Sequence, residues 1–389
     1  MRIAIFTDTF FPDINGVAIT LSKWSSYLEK KEISVRIYAP NHMGNKDMNN
    51  ENIQTYYSIP FSLYPECRIA FPNPVHIKKS IHQFNPTLVH IATPFNMGLL
   101  GHHYANKYNI PMVASYHTNF DQYLSYYKIQ WMEPILWKYI LWFHQDCKKI
   151  YVPSHSTKKL LEKKQLQNIE IWSRGIDTEV FHPITNRNEV WQTYGISPEK
   201  FVILYVGRLA IEKDIEVLIN AYKFLPKEIR DQCQLVIVGE GPLYKELKEK
   251  GADISTESIT FLGFKQGLEL SDLYAAADLF AFPSATETFG NVILEAMASG
   301  TPVMGIEAGG VKENIIHEKT GLLSPAHDMV SFKNNIERMV KETKLRSTLT
   351  KNALAYCRQK SWSTIFDRLL ASYYDIEEQS TFQLDRMIH

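Results

Sequence analysis

Two carboxylates eight residues apart, in Glu287-Thr288-Phe289-Gly290-Asn291-Val292-Ile293-Leu294-Glu295, form the segment best suited to chemistry. Phe282-Pro283-Ser284 closes a strand ahead of them, and Gly290 lets the backbone approach closely before a helix through Ala298. The N–H groups of Phe289, Gly290 and Asn291 at such a helix start favour an anion. Eight residues correspond to about 12 Å of helical rise, so Glu287 and Glu295 can both reach one bound ligand. A plainer alternative has Glu287 complementing the helix dipole and Glu295 solvated. Against it, Glu295 stands among Leu294, Ala296, Met297 and Ala298, where a lone carboxylate needs a partner. Next in strength is Val206-Gly207-Arg208-Leu209-Ala210-Ile211-Glu212-Lys213-Asp214. A strand ends at Val206, Gly207 turns the chain, and two cations follow five residues apart. Arg208 offers paired N–H donors to phosphate oxygens and Lys213 a mobile point charge. Together they suit a diphosphate leaving group, whose charge grows as the bond to it breaks. A surface ion pair with Glu212 or Asp214 is an equal reading of these residues alone.

Three segments carry weaker signals. Gly239-Glu240-Gly241-Pro242 follows a strand and brings backbone close to a ligand, but it lacks the third glycine of G-x-G-x-x-G. In Phe11-Pro12-Asp13-Ile14-Asn15-Gly16-Val17, Gly16 can admit a phosphate or simply make a tight turn. Ser115-Tyr116-His117-Thr118 ends a strand and sets His117 where a sugar hydroxyl or developing charge would be met. No metal site is expected: Asp-x-Asp is absent, the histidines lack the i, i+4 pattern, and the four cysteines (Cys67, Cys147, Cys233, Cys357) are widely spaced.

These segments need a scaffold, and the chain supplies two. Its 389 residues suit two domains, and 45% apolar residues provide ample core. Short apolar runs alternate with amphipathic stretches throughout, which predicts βα units around parallel sheets. Strands are expected at Arg2–Thr7, Ser34–Ala39, Thr87–Ile91, Met112–Tyr116, Lys149–Val152 and Ile169–Trp172. The rhythm restarts at Phe201–Val206, Gln234–Val238, Ile259–Leu262, Leu279–Phe282 and Pro302–Gly305. Turn-rich residues between 175 and 195 separate the halves. The expected domains are 1–180 and 181–361, with a last amphipathic helix over 362–389.

Composition excludes several classes. Lys+Arg and Asp+Glu both number 42, which disfavours a basic nucleic-acid binder, and no apolar run is long enough for a transmembrane helix. Ile3–Phe6 is too short for a signal-peptide core, so a cytoplasmic location is expected. The neutral total hides an asymmetry: through Glu170 there are 18 Lys+Arg against 12 Asp+Glu, and beyond it 24 against 30. A basic first half can attract an anionic surface. Trp131, Trp137 and Trp142, among tyrosines and aliphatic residues from Tyr123 to Phe143, fit either an interfacial element or a core helix.

In this order the segments resemble the retaining glycosyltransferases of family 4, which have the α/β GT-B fold of two Rossmann-like doubly wound domains facing across a cleft. The resemblance rests on Asn15-Gly16-Val17, Ser115–Thr118, Arg174-Gly175-Ile176-Asp177, Gly207-Arg208 with Glu212-Lys213, Gly239–Pro242 and the Glu-x7-Glu segment backed by Gly300-Thr301-Pro302-Val303 and Gly309-Gly310. It implies a nucleotide-diphosphate sugar bound by the second half and an acceptor by the first. Arg208 and Lys213 would hold the diphosphate, helped by amides near Gly16 and at Phe289, Gly290 and Asn291. Glu295 would bind the ribose and Glu287 the donor sugar, with His117 facing the sugar's 6-position. Arg174, Gly239 and Gly241 would lie on the donor side. Transfer would retain the anomeric configuration without a metal or other cofactor, by front-face attack with the leaving phosphate as base. Within the family, Phe6–Pro12 and Ser115–Phe120 look most like glycolipid-forming members acting on diacylglycerol or phosphatidylinositol-type acceptors, so a lipid or glycan acceptor is expected. Family frequency puts UDP-glucose first as donor and GDP-mannose next. A dinucleotide-dependent oxidoreductase is the alternative from another class, disfavoured by the missing glycine fingerprint. One departure is Asp214, where many relatives carry glycine or another small residue; it would either weaken the Lys213–phosphate contact or cap the following helix.

Overall fold

A computed structural model of the chain describes all residues except 14, 42–51, 61–66, 120–123, 125–128, 185, 253–257 and 389, with the backbone alone from 381 to 388. The chain divides into two compact units. One comprises Met1–Leu124, Ile129–Ser173 and Ser363–His389, and the other Arg174–Trp362. Each is a Rossmann-like α/β domain.

The first unit is built on an eight-stranded sheet in the order β4-β3-β2-β1-β5-β6-β7-β8. Its strands are β1 (Arg2–Phe6), β2 (Ser34–Asn41), β3 (Ile53–Pro60), β4 (Arg68–Ala70), β5 (Leu88–Ile91), β6 (Met112–Ser115), β7 (Ile150–Val152) and β8 (Ile169–Ile171). Every neighbouring pair is parallel except β3 with β4. The inner strands β5, β6 and β7 are buried along their whole length, as parallel strands covered by helices on both faces must be. Asn15 caps the helix Gly16–Lys30 by accepting from the amides of Val17 (3.1 Å) and Ala18 (2.9 Å). Asp8, fully enclosed just after β1, accepts from the amide of Met97 (2.7 Å) at the start of the helix Asn96–Lys107, and from the Thr93 hydroxyl (2.6 Å). Burial outweighs those hydrogen bonds and lifts the carboxyl to about 6.

The last helix runs Trp362–Ile388, and from Ser363 onward it belongs to the first unit. Trp24 packs against its Phe366 and Tyr373, with ring centroids 5.1 and 5.7 Å apart. The Tyr373 hydroxyl lies 2.9 Å from His90 Nδ1, and His90 Nε2 lies 2.6 Å from the Ser115 hydroxyl. Enclosure pushes the His90 imidazole down to about 3, so the ring is neutral.

The second unit has six strands in the order β11-β10-β9-β12-β13-β14, all parallel. They are β9 (Phe201–Val206), β10 (Cys233–Val238), β11 (Ile259–Gly263), β12 (Leu279–Phe282), β13 (Val303–Ile306) and β14 (Leu322–Ser324). β10 is buried at every residue. The division between units falls at Ser173/Arg174 and not at 180. The amide of Ile176 donates to Lys360 O (2.8 Å) and Ile176 bridges to Ser361, which fastens this stretch to the second unit. A Cβ on Gly175 would press into the Trp362 backbone.

Candidate active site

In each sheet the strand order reverses once, between β1 and β5 and between β9 and β12. Open α/β sheets bind ligands beyond the carboxyl ends of their strands at such a point. The strongest sequence signals fall there in the second unit. Arg208 follows β9 and leads through the turn Ile211–Lys213 into the helix Ile215–Lys223. Glu287 follows β12 and precedes the helix Asn291–Ala298.

Hydrogen bonds fasten these two loops together. The carbonyl oxygen of Glu212 accepts from the hydroxyls of Ser284 (3.3 Å) and Thr286 (2.9 Å). The Lys213 ammonium is ion-paired with Glu287 Oε1, and both side chains are only 17% exposed. The Arg208 guanidinium is ion-paired with Glu212 Oε1. This partner is the one the residues allowed, but the pair is not a surface one: the Glu212 carboxylate is 1% exposed. The amide of Gly310 donates to Glu287 O (2.7 Å), and the Asn314 side-chain amide donates to Phe289 O (2.6 Å). A Cβ on Gly310 would overlap the Phe289 backbone, so glycine permits the loop carrying Glu287 to sit this low. Arg208, Lys213 and Glu287 are therefore held together.

Glu295 lies within the helix Asn291–Ala298, and its Oε2 accepts from the Tyr274 hydroxyl at 3.0 Å. Tyr274 is the partner that the apolar surroundings of Glu295 demanded. Spacing within one segment could not have found it, because it sits 21 residues upstream on the helix Gly267–Ala276. Its own phenol is pushed well above the usual range by burial and by that carboxylate. Gly290 is the residue before the helix, with a φ of 81° that suits glycine, while the Phe289 ring is buried in the core.

Other expected residues are explained by packing. At Gly239 a φ of 138° and the overlap that a Cβ would make with Gly207 O require glycine. Gly241 similarly lies against the backbone of Leu209. Pro242 precedes the helix Tyr244–Ala252 without belonging to it. Arg174 is buried, and desolvation pulls its guanidinium down to about 9. Asp214 adopts the left-handed conformation (φ 50°), which explains the glycine in relatives, since aspartate is one of the few other residues that tolerate it. Its side chain makes no capping bond to the helix that follows, contrary to one of the two expectations. The carboxyl is instead raised by burial and hydrogen-bonded by the Ala285 backbone.

Gly16 and His117 belong to the first unit. Gly16 opens the helix Gly16–Lys30, and His117 lines a small cavity with Thr9, Asn15, Cys67 and Thr93. The His117 ring stands 5.6 Å from that of Trp172. Ile14, Phe120 and Tyr123 lie outside the described residues. Trp137 is core, and Trp131 and Trp142 are exposed.

Two Rossmann-like domains, the second with two cations and two carboxylates at its topological switch point, define a GT-B transferase. Residues 186–355 match the family described as glycosyl transferases group 1, and residues 14–180 match glycosyltransferase family 4. A GDP-mannose-dependent alpha-mannosyltransferase of Corynebacterium glutamicum is 30% identical over 97% of this chain and 89% of its own length. An alpha-monoglucosyldiacylglycerol synthase of Streptococcus pneumoniae is 30% identical over 82% of this chain and 74% of its own. Among solved structures, Anabaena HepE in complex with UDP superposes with a TM-score of 0.79 at 20% identity, covering 96% of this chain and 100% of that one. The chain belongs to the group 1, family 4 glycosyltransferases, and it is a hexosyltransferase.

Proposed function

We propose that this enzyme moves a hexose from a nucleotide-diphosphate sugar to a lipid or glycan acceptor, with retention and without a metal. The observation that carries the reading is the joining of Arg208, Lys213 and Glu287 at one switch point. Arg208 and Lys213 supply the positive charge that a departing diphosphate needs. Glu287 is the ligand of the donor sugar and Glu295 that of the ribose, with His117 assigned to the sugar's 6-position. The acceptor oxygen forms its bond to the anomeric carbon on the face from which the diphosphate leaves. The carbon–oxygen bond to the diphosphate breaks, and the acceptor's proton passes to the departing phosphate oxygen. GDP-mannose is the donor proposed first, because relatives so named match 97% and 98% of this chain. UDP-glucose comes second, supported by the resemblance to glycolipid-forming members and by the UDP in the HepE structure.

The test is nucleoside diphosphate release from GDP-mannose and UDP-glucose, with diacylglycerol and phosphatidylinositol-type acceptors. Arg208→Ala is expected to cut turnover at least about a hundredfold, as loss of a leaving-group stabiliser does elsewhere, and to fold with a lowered melting temperature, because the enclosed Glu212 carboxylate loses its partner. Near-normal rates in the folded variant would remove the assignment.

A lipid acceptor also calls for a membrane surface. No helix among the described residues is long and apolar enough to cross one. We propose instead a peripheral contact of the basic first unit, where Trp131, Ile135 and Trp142 are 72, 59 and 46% exposed. Co-sedimentation should be stronger with anionic than with neutral vesicles, and equal binding would remove the idea.

A further inference from the structure

The buried carboxylate of Glu212 has no place in the transfer chemistry, yet it touches the most important cation. We infer that Glu212 is a positioning residue that holds the Arg208 guanidinium in one orientation for the departing diphosphate; this rests on the donor-site reading above. Three observations support it. The Glu212 side chain is 1% exposed, so its carboxylate has nowhere else to go, whereas Arg208 is 23% exposed. Among the described residues, Glu212 Oε1 meets Arg208 while no hydrogen bond reaches Oε2. The backbone of Glu212 is itself fixed, because its carbonyl receives Ser284 and Thr286 from the loop that carries Glu287.

Chemistry explains why an acid serves here. A guanidinium has five N–H donors in a planar fork, so one edge can hold a carboxylate while the other faces a phosphate. A lysine ammonium has three donors but no planar edge, so holding it by one carboxylate does not fix the direction in which it meets a second partner. An arginine side chain also has about 2 kcal/mol of rotamer entropy to lose when it is ordered. Glu212 makes that loss part of folding, so the cation already stands where negative charge grows in the transition state. The role is indirect, because Glu212 acts only through Arg208.

The experiment is a double-mutant cycle on donor turnover, using wild type, Glu212→Ala, Arg208→Ala and the double variant. Wild-type release of nucleoside diphosphate is measured first; if no donor is turned over, the functional reading fails and not this one. Glu212→Ala is expected to lower kcat by about thirtyfold with the donor KM changed less than threefold, since an orienting role acts on the transition state. Added to Arg208→Ala, the same substitution should cost less than a further twofold. A purely structural role would give multiplied losses, which would overturn the inference, as would a Glu212→Ala kcat near or above that of wild type. Glu212→Gln keeps the volume and one acceptor for Arg208, so where Glu212→Ala does not fold, the same cycle with glutamine decides. It is expected to show a smaller loss of kcat that again vanishes in the Arg208→Ala background; a loss that persists there overturns the inference.

Discussion

Glu287→Gln should bind nucleoside diphosphate more tightly than wild type while turning over far less donor. Without ligand, the Glu287 carboxylate occupies the Lys213 ammonium. On the proposed assignment an arriving diphosphate competes with the carboxylate for that ammonium, so part of its binding energy goes into loosening the pair. An exposed ion pair contributes at most about 1 kcal/mol, and removing one partner from a buried pair costs about 3–5 kcal/mol. With both side chains 17% exposed, this exchange lies near the lower of those ranges. About 1.5 kcal/mol corresponds to roughly tenfold in Kd. Glutamine keeps the size and removes the competition, so calorimetric titration with GDP and with UDP should give a Kd about ten times lower. Turnover should fall at least about a hundredfold, because on the proposed assignment the sugar loses its carboxylate ligand. The difference in Kd should shrink in high salt, as a charge effect at a partly exposed site must. An unchanged or weaker Kd in the folded variant would refute the exchange. No binding of either diphosphate by wild type would instead refute the donor site itself.

Three further outcomes follow from the same structure. Tyr274→Phe removes the donor to Glu295, at a cost of about 1 kcal/mol; nucleoside monophosphate affinity should fall about fivefold, and an unchanged Kd would detach Glu295 from the ribose. Gly239→Ala puts a Cβ against Gly207 O at a positive φ, so urea unfolding should show a loss of about 2–4 kcal/mol, and a loss under 1 kcal/mol would deny the close approach. On the acid side, His90 (about 3) and His144 (about 4) are held neutral by burial, so the unfolded chain takes up their protons first and stability falls below pH 6.5. Asp8, raised to about 6, acts in the opposite sense: its folded form binds a proton before the unfolded form does, which offsets part of that loss between pH 6 and 4. Asp8→Asn should therefore lose more stability than wild type over that window, by up to about 3 kcal/mol for a two-unit shift; parallel urea midpoints across pH would contradict it.

What the sequence made legible follows from range. Strands that are apolar on both faces announce themselves, and Leu279–Phe282 and Phe201–Val206 form as expected. β3 and β4 escaped because their pattern of exposure is mixed, with no continuous apolar run to mark them. The Arg208–Lys213 and Glu287–Glu295 segments were visible because glycines, charges and apolar neighbours lie within one window. Tyr274 was not, nor was the enclosure of Glu212, because both depend on contacts between segments 21 to 74 residues apart. The domain boundary moved for the same reason: the Ile176–Ser361 bridge is invisible to any local reading.

The two cations of the site differ in a way that matters for catalysis. Arg208 is paired with a carboxylate that is wholly enclosed, and Lys213 with one that reaches solvent. The first pairing can persist when an anion arrives, because a planar guanidinium presents a second edge; the second is weakened, because the ammonium then shares one compact charge and three donors between two anions. Each pair sums to zero charge, so these four side chains present no net positive charge before the donor binds. On the assignment proposed above, a diphosphate that draws on Lys213 loosens its hold on Glu287, so occupation of the diphosphate subsite favours engagement of the sugar by that carboxylate, whereas a free sugar meets Glu287 still paired with Lys213.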